Sequence, residues 1–297
     1  MIAIEPGWDL YRSFLAVLQE GSLSGAARAL GLAQPTLGRH IEALEAALGL
    51  ALFTRSQHGL APTEGAQQIK PYAEALASTA AALLRVASSQ SEEAHGVVRV
   101  TASEVIGAEI LPTILAALRE AHPELAIELV LSNRVENLLN READIAVRMV
   151  RPDQDALVAR YVGAIPLGLF ARRDYLERHA APQSIADLAN HSFIGFDRDM
   201  SFVRPLETQF GKIDRNLFAL RTDSQLAHIA ALRAGFGIGV CQIALAKRNP
   251  NLVRVLPEQF ELKLETWLAM HENLKETRRC RVVFDALAEG LFRYVRE

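Results

Sequence analysis

Cysteine is nearly missing from this chain. Cys241 and Cys280 are the two among 297 residues, too few for a disulfide framework and in keeping with a reducing compartment. Buried structural thiols are the expected role of both. No apolar run approaches the ~20 residues that a membrane helix requires, so no membrane partner is expected. The N-terminal stretch has Glu5, Asp9 and Arg12 among its apolar positions and no basic segment leading into an apolar one. It is not a secretory leader, and a cytoplasmic protein is predicted. The histidines are scattered without a His-Glu-x-x-His pair, and no Cys-x-x-Cys occurs, so neither a metal site nor a cofactor is expected. Excess positive charge is absent too. Residues 1–96 contain Arg12, Arg28, Arg39, Arg55, Lys70 and Arg85 against nine acidic side chains, and the whole chain has a formal net charge of −3. Nucleic-acid binding usually draws on a basic footprint; here any such footprint must come from local placement.

What is present is a folded, two- or three-domain composition with 50% hydrophobic residues. Leu10, Phe14, Val17 and Leu18 recur at helical spacing over Trp8–Glu20, and Gly21 ends that helix. Ser22 is placed to cap a second short helix, with Leu23, Ala26, Ala27 and Leu30 on one face and Gly31 after it. Pro35 fits the first turn of a third helix, which turns Leu37, Ile41, Leu44 and Leu48 inward and Thr36, Arg39, His40 and Ala43 outward. The turn-rich segment Thr54–Leu60 between short apolar stretches reads as a small hairpin. A long alanine-rich helix is predicted over 64–90. Its residues Ile69, Ala73, Leu76, Ala80, Leu83 and Ala87 form a seam of period 3.5, which calls for a second helix to cover it. Pro71 interrupts one hydrogen bond of that helix and is expected to bend it. Residues 88–93 are polar and read as a linker.

Beyond the linker, strands alternate with helices. Strands are predicted at Val97–Thr101, Leu125–Leu131, Asp144–Val150, Leu167–Ala171, Ser192–Phe196, Asn216–Thr222, Ile238–Val240, Leu252–Val255 and Trp267–His271. Helices are predicted around Leu111–Leu118, Val135–Asn140, Leu226–Ala234 and Arg279–Arg296. This pattern implies an α/β domain with mostly parallel sheets.

The run Ser24–Ile41, reading SGAARALGLAQPTLGRHI, closely resembles the helix-turn-helix of LysR-type transcriptional regulators. Leu44–Arg55 and Leu60–Gly65 are similar to the segments that follow it in that family. Gly38 departs from the serine usual before the arginine and removes a phosphate contact; Pro62 replaces a usual leucine. The resemblance implies a winged helix-turn-helix over 1–63, a dimerising linker helix over 64–91, and an effector-binding domain over 92–297. That last domain would be α/β and periplasmic-binding-protein-like. Its first subdomain would cover about 97–165 and 266–297, and its second about 166–265. It also implies a homodimer or homotetramer on a double-stranded DNA operator, answering to a small organic effector.

A recognition helix enters the major groove by its N-terminal end. Gln34, Pro35, Thr36 and Arg39 are therefore the candidate base readers. His40 shares the outward face, while Ser24, Arg55 and His58 are candidates for phosphate or minor-groove contacts. Dimer contacts are assigned to Ile69, Ala73, Leu76, Ala80 and Leu83. In open α/β domains ligands bind beyond the carboxyl ends of strands. Ser103, Ser132, Phe196 and Thr222 are the first candidates there, with Glu104, Arg148 and Asp197 beside them. Ser103 opens a helix whose free N–H groups favour an anion; equally, serines and aspartates in such places are often caps and turn residues. Gly235-Phe236-Gly237-Ile238-Gly239 superficially resembles a dinucleotide loop, but it follows a helix and precedes a strand, the reverse of the required order. Its glycines are expected to cap the helix and turn the chain. Two rivals, a transporter's solute-binding protein and an α/β enzyme with a helical interaction module, fit less well: the first is expected to carry a secretory leader and no ninety-residue helical front, and an enzyme using the glycine-rich segment meets the wrong order of helix and strand.

Overall fold

The computed structural model describes residues 5–56, 59–87, 94–133, 143–152, 157–198 and 215–297. The chain divides into two compact units, parting between residues 88 and 89. In the first, α1 (Trp8–Glu20), α2 (Leu23–Leu30) and α3 (Gln34–Leu48) precede a hairpin of β1 (Phe53–Ser56) and β2 (Gly59–Pro62), and α4 (Glu64–Ala87) follows. Left-handed glycines at 21, 31 and 49 end the three short helices, as the sequence predicts. Ser22 Oγ accepts the Gly25 N–H at 3.1 Å, capping α2. Phe14, Val17, Ala26, Leu37, Ile41, Leu44 and Leu52 form the core. The hairpin is tied back to this core at two places. The Glu45 carboxylate accepts the N–H groups of Leu52 (2.6 Å) and Phe53 (3.2 Å), and the Leu60 N–H donates to the Gly21 carbonyl at 2.9 Å. Gly59 is required there: its φ is +121°, and a Cβ would stand 2.7 Å from that carbonyl. Thr63 Oγ1 donates to the Ala51 carbonyl and accepts the Ala66 N–H, joining the hairpin to the start of α4. Pro71 lies within α4, which continues through it as a single helix.

In the second unit, β3 (Gly96–Ala102) leads through a π-helical turn (Ile106–Ile110) into α5 (Leu111–Ala121). Strands β4 (Leu125–Leu131), β5 (Ile145–Arg148) and β6 (Leu157–Arg172) follow, then α6 (Arg173–His179), β7 (Phe193–Gly195) and β8 (Phe218–Arg221). The chain ends with α7 (Gln225–Ala234), β9 (Gly239–Gln242), α8 (Ile243–Lys247), β10 (Leu252–Val255), β11 (Leu262–His271) and α9 (Arg278–Val295). The main sheet has the order β10-β6-β11-β5-β3-β4, with β9 also on β6. It corrects the expectation of mostly parallel strands. β3 is parallel to β4 and β5, whereas β6, β9, β10 and β11 are joined by antiparallel pairs. Two long strands account for the difference. β6 and β11 run against each other along their length, and Ile165 and Leu264, beside the two expected limits of the second subdomain, face each other in that register. A second small sheet pairs β7 with β8 in parallel. One core, with Val100, Ile106, Leu111, Val147, Ile165, Leu232, Leu268, Val283 and Leu287, underlies the main sheet. A smaller one gathers Leu169, Tyr175, Phe193, Phe218, Ile238 and Phe260. The helix predicted at Val135–Asn140 and the linker 88–93 lie outside the described residues.

Candidate DNA-reading surface and effector site

α3 buries Leu37, Ile41 and Leu44 and leaves its first turn outside: Gln34, Pro35, Thr36 and Arg39 are all exposed. No side chain caps this helix, so its leading N–H groups remain open to a phosphate oxygen. Ser24 on α2 and Arg55 on the hairpin are exposed as well. His40 is a correction. It is half-buried, and its Nδ1 sits 2.8 Å from the hydroxyl of buried Ser13 on α1. This bond braces the recognition helix against its neighbour and takes the ring out of the outward face. His58 lies outside the described residues.

The predicted seam on α4 splits. Ala73 is buried and Ile69 half-buried against the core of their own unit, which corrects their assignment to a partner. Ala80 is half-buried. Leu76 and Leu83 are 47% and 65% exposed, and Tyr72, which the sequence reading passed over, is 74% exposed. Tyr72, Leu76, Thr79 and Leu83 keep the 4-3-4 spacing on one open stripe. Leu84 is exposed next to it.

In the second unit, Phe196 and Thr222 line a cavity of about 90 Å³ with Val105, Leu167, Gln225, His228, Ile229, Val240, Cys241, Gln242, Leu262 and Leu264. Ser103, Ser132, Glu104, Arg148 and Asp197 are not in its wall. Ser103 is buried at the end of β3, and its carbonyl accepts the Gly107 N–H. The Ser132 N–H donates to the Ala102 carbonyl at 2.9 Å. Glu104 has a partner of another kind: its carboxylate accepts the Ser224 hydroxyl and the Leu226 N–H, each at 3.2 Å. It thus occupies the N-terminus of α7, the position where an anion is best held. Asp197 pairs with Arg215 and Arg198, while the Asp223 carboxylate accepts the N–H groups of Asp197 and Arg198. These acidic residues therefore tie loops together.

Arg148 is buried, donating to Thr101 Oγ1 (2.9 Å) and the Val147 carbonyl (3.0 Å), with Nε unpartnered. Burial pulls its guanidinium down to about 10, which leaves it charged at neutral pH. Burial pushes the Cys241 thiol up to about 12, so no thiolate lines the cavity. Burial also pulls the His228 imidazole down to about 4, against an opposing hydrogen bond to the Val240 backbone. His228 and Gln242 went unnoticed in the sequence because neither belongs to a motif. The glycine-rich segment behaves as predicted: Gly235, at φ +80°, caps α7 by donating to the Ala231 and Leu232 carbonyls, and β9 follows.

Residues 8–67 match the family model described as a bacterial regulatory helix-turn-helix protein of the lysR family, and residues 91–291 match the LysR substrate binding domain. The chain belongs to the LysR family of bacterial transcriptional regulators. It is 33% identical over 285 residues to the HTH-type transcriptional regulator CrgA of Neisseria meningitidis serogroup C (strain 8013), covering 94% of this chain and 95% of that protein. The solved structure of CrgA from Neisseria meningitidis superposes with a TM-score of 0.60 at 25% identity, over 97% of this chain and 99% of that one. CbnR, a LysR family transcriptional regulator, shares the fold with a TM-score of 0.66 at 19% identity, over 98% and 100% of the two chains. This LysR-family chain is therefore a DNA-binding transcriptional regulator with an effector-binding domain, and not an enzyme. Among the described residues, no helix is long and apolar enough to cross a membrane.

Proposed function

We propose that this regulator works in the cytoplasm as a homodimer or homotetramer. It reads a two-half-site operator through Gln34, Pro35, Thr36 and Arg39, with Ser24 and Arg55 on phosphates. A small organic effector is held in the second unit, around Phe196 and Thr222, and no metal or other cofactor enters this reading. One observation carries the proposal. Gln34, Pro35 and Thr36 at the start of α3 are exposed and uncapped, although Leu37, Ile41 and Leu44 on the inner face of the same helix are packed into the core. Such a turn suits insertion into a groove, where side chains reach base edges and N–H groups meet phosphate. The exposed stripe Tyr72–Leu76–Leu83 on α4 supports pairing with a second copy, and paired recognition helices match paired half-sites. A genome-wide binding map of the intact protein tests the proposal. The recovered fragments should share a two-fold sequence with half-sites about one helical turn apart, and anisotropy titrations should show them bound far more tightly than scrambled duplexes. Fragments without a shared two-fold element would refute it.

A further inference from the structure

We propose that the Glu104 carboxylate, seated on the N-terminus of α7, is a releasable latch that holds the cavity at Phe196 and Thr222 closed. That an effector enters when this latch opens rests on the assignment of the cavity as the effector site. Both ends of the latch flank the lining. Glu104 precedes Val105, and its two partners, Ser224 and Leu226, stand on either side of Gln225; Val105 and Gln225 are both wall residues. Val105, Leu167, His228, Ile229 and Cys241 of the wall are buried. At about 90 Å³ the latched cavity is smaller than the ~150 Å³ hole that admits benzene. A metabolite with a ring or a longer chain therefore needs the wall to part.

The segment after β3 is fixed on its other side. The Glu104 N–H donates to Asn133 Oδ1 at 3.1 Å, and a Cβ at Gly107 would stand 2.2 Å from the Leu131 side chain, so this turn lies directly against β4. Parting then falls to α7, which two links of unequal strength hold. Glu109 and Arg233 meet two-pronged at 2.7 and 2.8 Å. The two bonds to Glu104 are 3.2 Å each, longer than the ~2.7–2.9 Å usual beside a charge. The Glu104 link yields first. Its release is reversible at small cost, because Glu104 and Ser224 are only half-buried and return to water when parted. The Ser224 hydroxyl also keeps its own role in α7, accepting the Ala227 N–H at 3.4 Å, so the helix stays capped with the latch open.

The two cysteines report on opening. Cys241 lines the cavity and Cys280, in α9, does not; both are buried. Burial holds the Cys241 thiol up at about 12, so it reacts only when exposed. Timed labelling of the full-length protein with N-ethylmaleimide, resolved by mass spectrometry, reads local opening at Cys241 and global unfolding at Cys280. Glu104→Ala should speed Cys241 labelling roughly tenfold, the factor for one lost hydrogen bond to a charged group, and leave Cys280 at the wild-type rate. Glu104→Gln, which keeps an acceptor oxygen, should fall between. Sodium acetate at roughly 0.5 M, compared with sodium chloride of equal strength, should slow Cys241 labelling in Glu104→Ala by filling the vacated helix end. Wild type should not respond to it.

Cys241 labelled at the wild-type rate in both variants, equal acceleration at both cysteines, or an acetate effect no larger in Glu104→Ala than in wild type would overturn the latch. If Glu104→Ala does not fold, Glu104→Gln decides alone, and a wild-type rate at Cys241 refutes the proposal. The effector-site assignment fails separately. A reporter gene behind the recovered operator, responding to growth medium identically under wild type and under Val240→Phe, which fills the cavity, would place the effector elsewhere and leave the labelling result standing.

Discussion

His228 makes the stability of the effector-binding domain depend on pH in a calculable way. In the unfolded chain its imidazole titrates near 6.5, and in the folded one at about 4, because burial disfavours the charged ring. A depressed folded value means that the unfolded state takes up the proton first as pH falls. The contribution is therefore fully present above pH 6.5 and is lost as pH falls through 4. Each unit of difference is worth ~1.4 kcal/mol, so the full contribution is about 3 kcal/mol, and most of it has gone by about pH 4.5. His228→Phe keeps a ring in place and removes the titration. Denaturant unfolding of the full-length protein, followed at Trp267 in a Trp8→Phe background, should show wild type losing about 2–3 kcal/mol more than the variant between pH 7.5 and 4.5. Parallel stability curves would refute the argument, as would an NMR titration that finds this ring protonating near its ordinary value.

Arg39→Ala should cost about 1–3 kcal/mol on the specific operator and relax one base preference; equal anisotropy titrations on operator and scrambled DNA for mutant and wild type would remove Arg39 from base reading. Leu76→Glu places a carboxylate in the exposed stripe of α4, where pairing would bury it at a cost of several kcal/mol; an unchanged oligomer by sedimentation would exclude this stripe from the interface. Glu45→Ala strips the acceptor from the Leu52 and Phe53 N–H groups and should destabilise the first unit by about 2–4 kcal/mol, with faster amide exchange at those two residues as the direct readout. Glu109 and Arg233 form a two-pronged ion pair at 2.7 and 2.8 Å, and its hydrogen bonds to Arg233 hold the Glu109 carboxyl below its ordinary value. Glu109→Gln should therefore destabilise by about 1 kcal/mol at neutral pH. Because a depressed carboxyl gives its stability above the unfolded value and loses it through the folded one, thermal melts of mutant and wild type should converge in strong acid.

The first unit was legible because its signals are short-range. Gly21, Ser22, Gly31, Pro35 and Gly49 each act on the turn they occupy, and they mark every boundary of α1, α2 and α3 except the start of α1. His40 was misplaced because helical periodicity assigns a face but cannot know that Ser13, on another helix, supplies a partner to the edge of that face. Ile69 and Ala73 failed likewise: a 3.5-residue seam asks to be covered, and the chain's own core covers its first turn. Sheet direction was illegible for a related reason. The half of β6 from Leu157 to Pro166 is broken by Arg160, Tyr161, Gly163 and Pro166 and reads poorly as a strand, yet that half pairs antiparallel with β11. Phe196 and Thr222, which line the cavity, could be named because strand ends are a topological rule. His228 was not, because inside Leu226–Leu232 it looks like one more helical position, and only the fold carries Val240 and Gly239 onto its ring.

For an effector seated in this cavity, as proposed, these contacts constrain how it can act on the regulator. The cavity wall takes Val105 from the segment after β3 and Gln225, His228 and Ile229 from α7. The same two pieces of chain are already joined twice, by Glu104 on the α7 N-terminus and by Glu109 on Arg233. A ligand seated between them shares its elements with both links, so strain at one is felt at the others. It shifts the balance of conformations only by the difference in its affinity for the joined and parted arrangements. Moving a one-to-ninety-nine equilibrium to its inverse requires ~5.5 kcal/mol of such difference. One buried hydrogen bond, worth ~1 kcal/mol, is too small for that by itself. Burial of the ligand's apolar body, at ~0.8 kcal/mol per CH₂ group, must supply the larger share, which is why an apolar wall suits a switch better than a second ion pair.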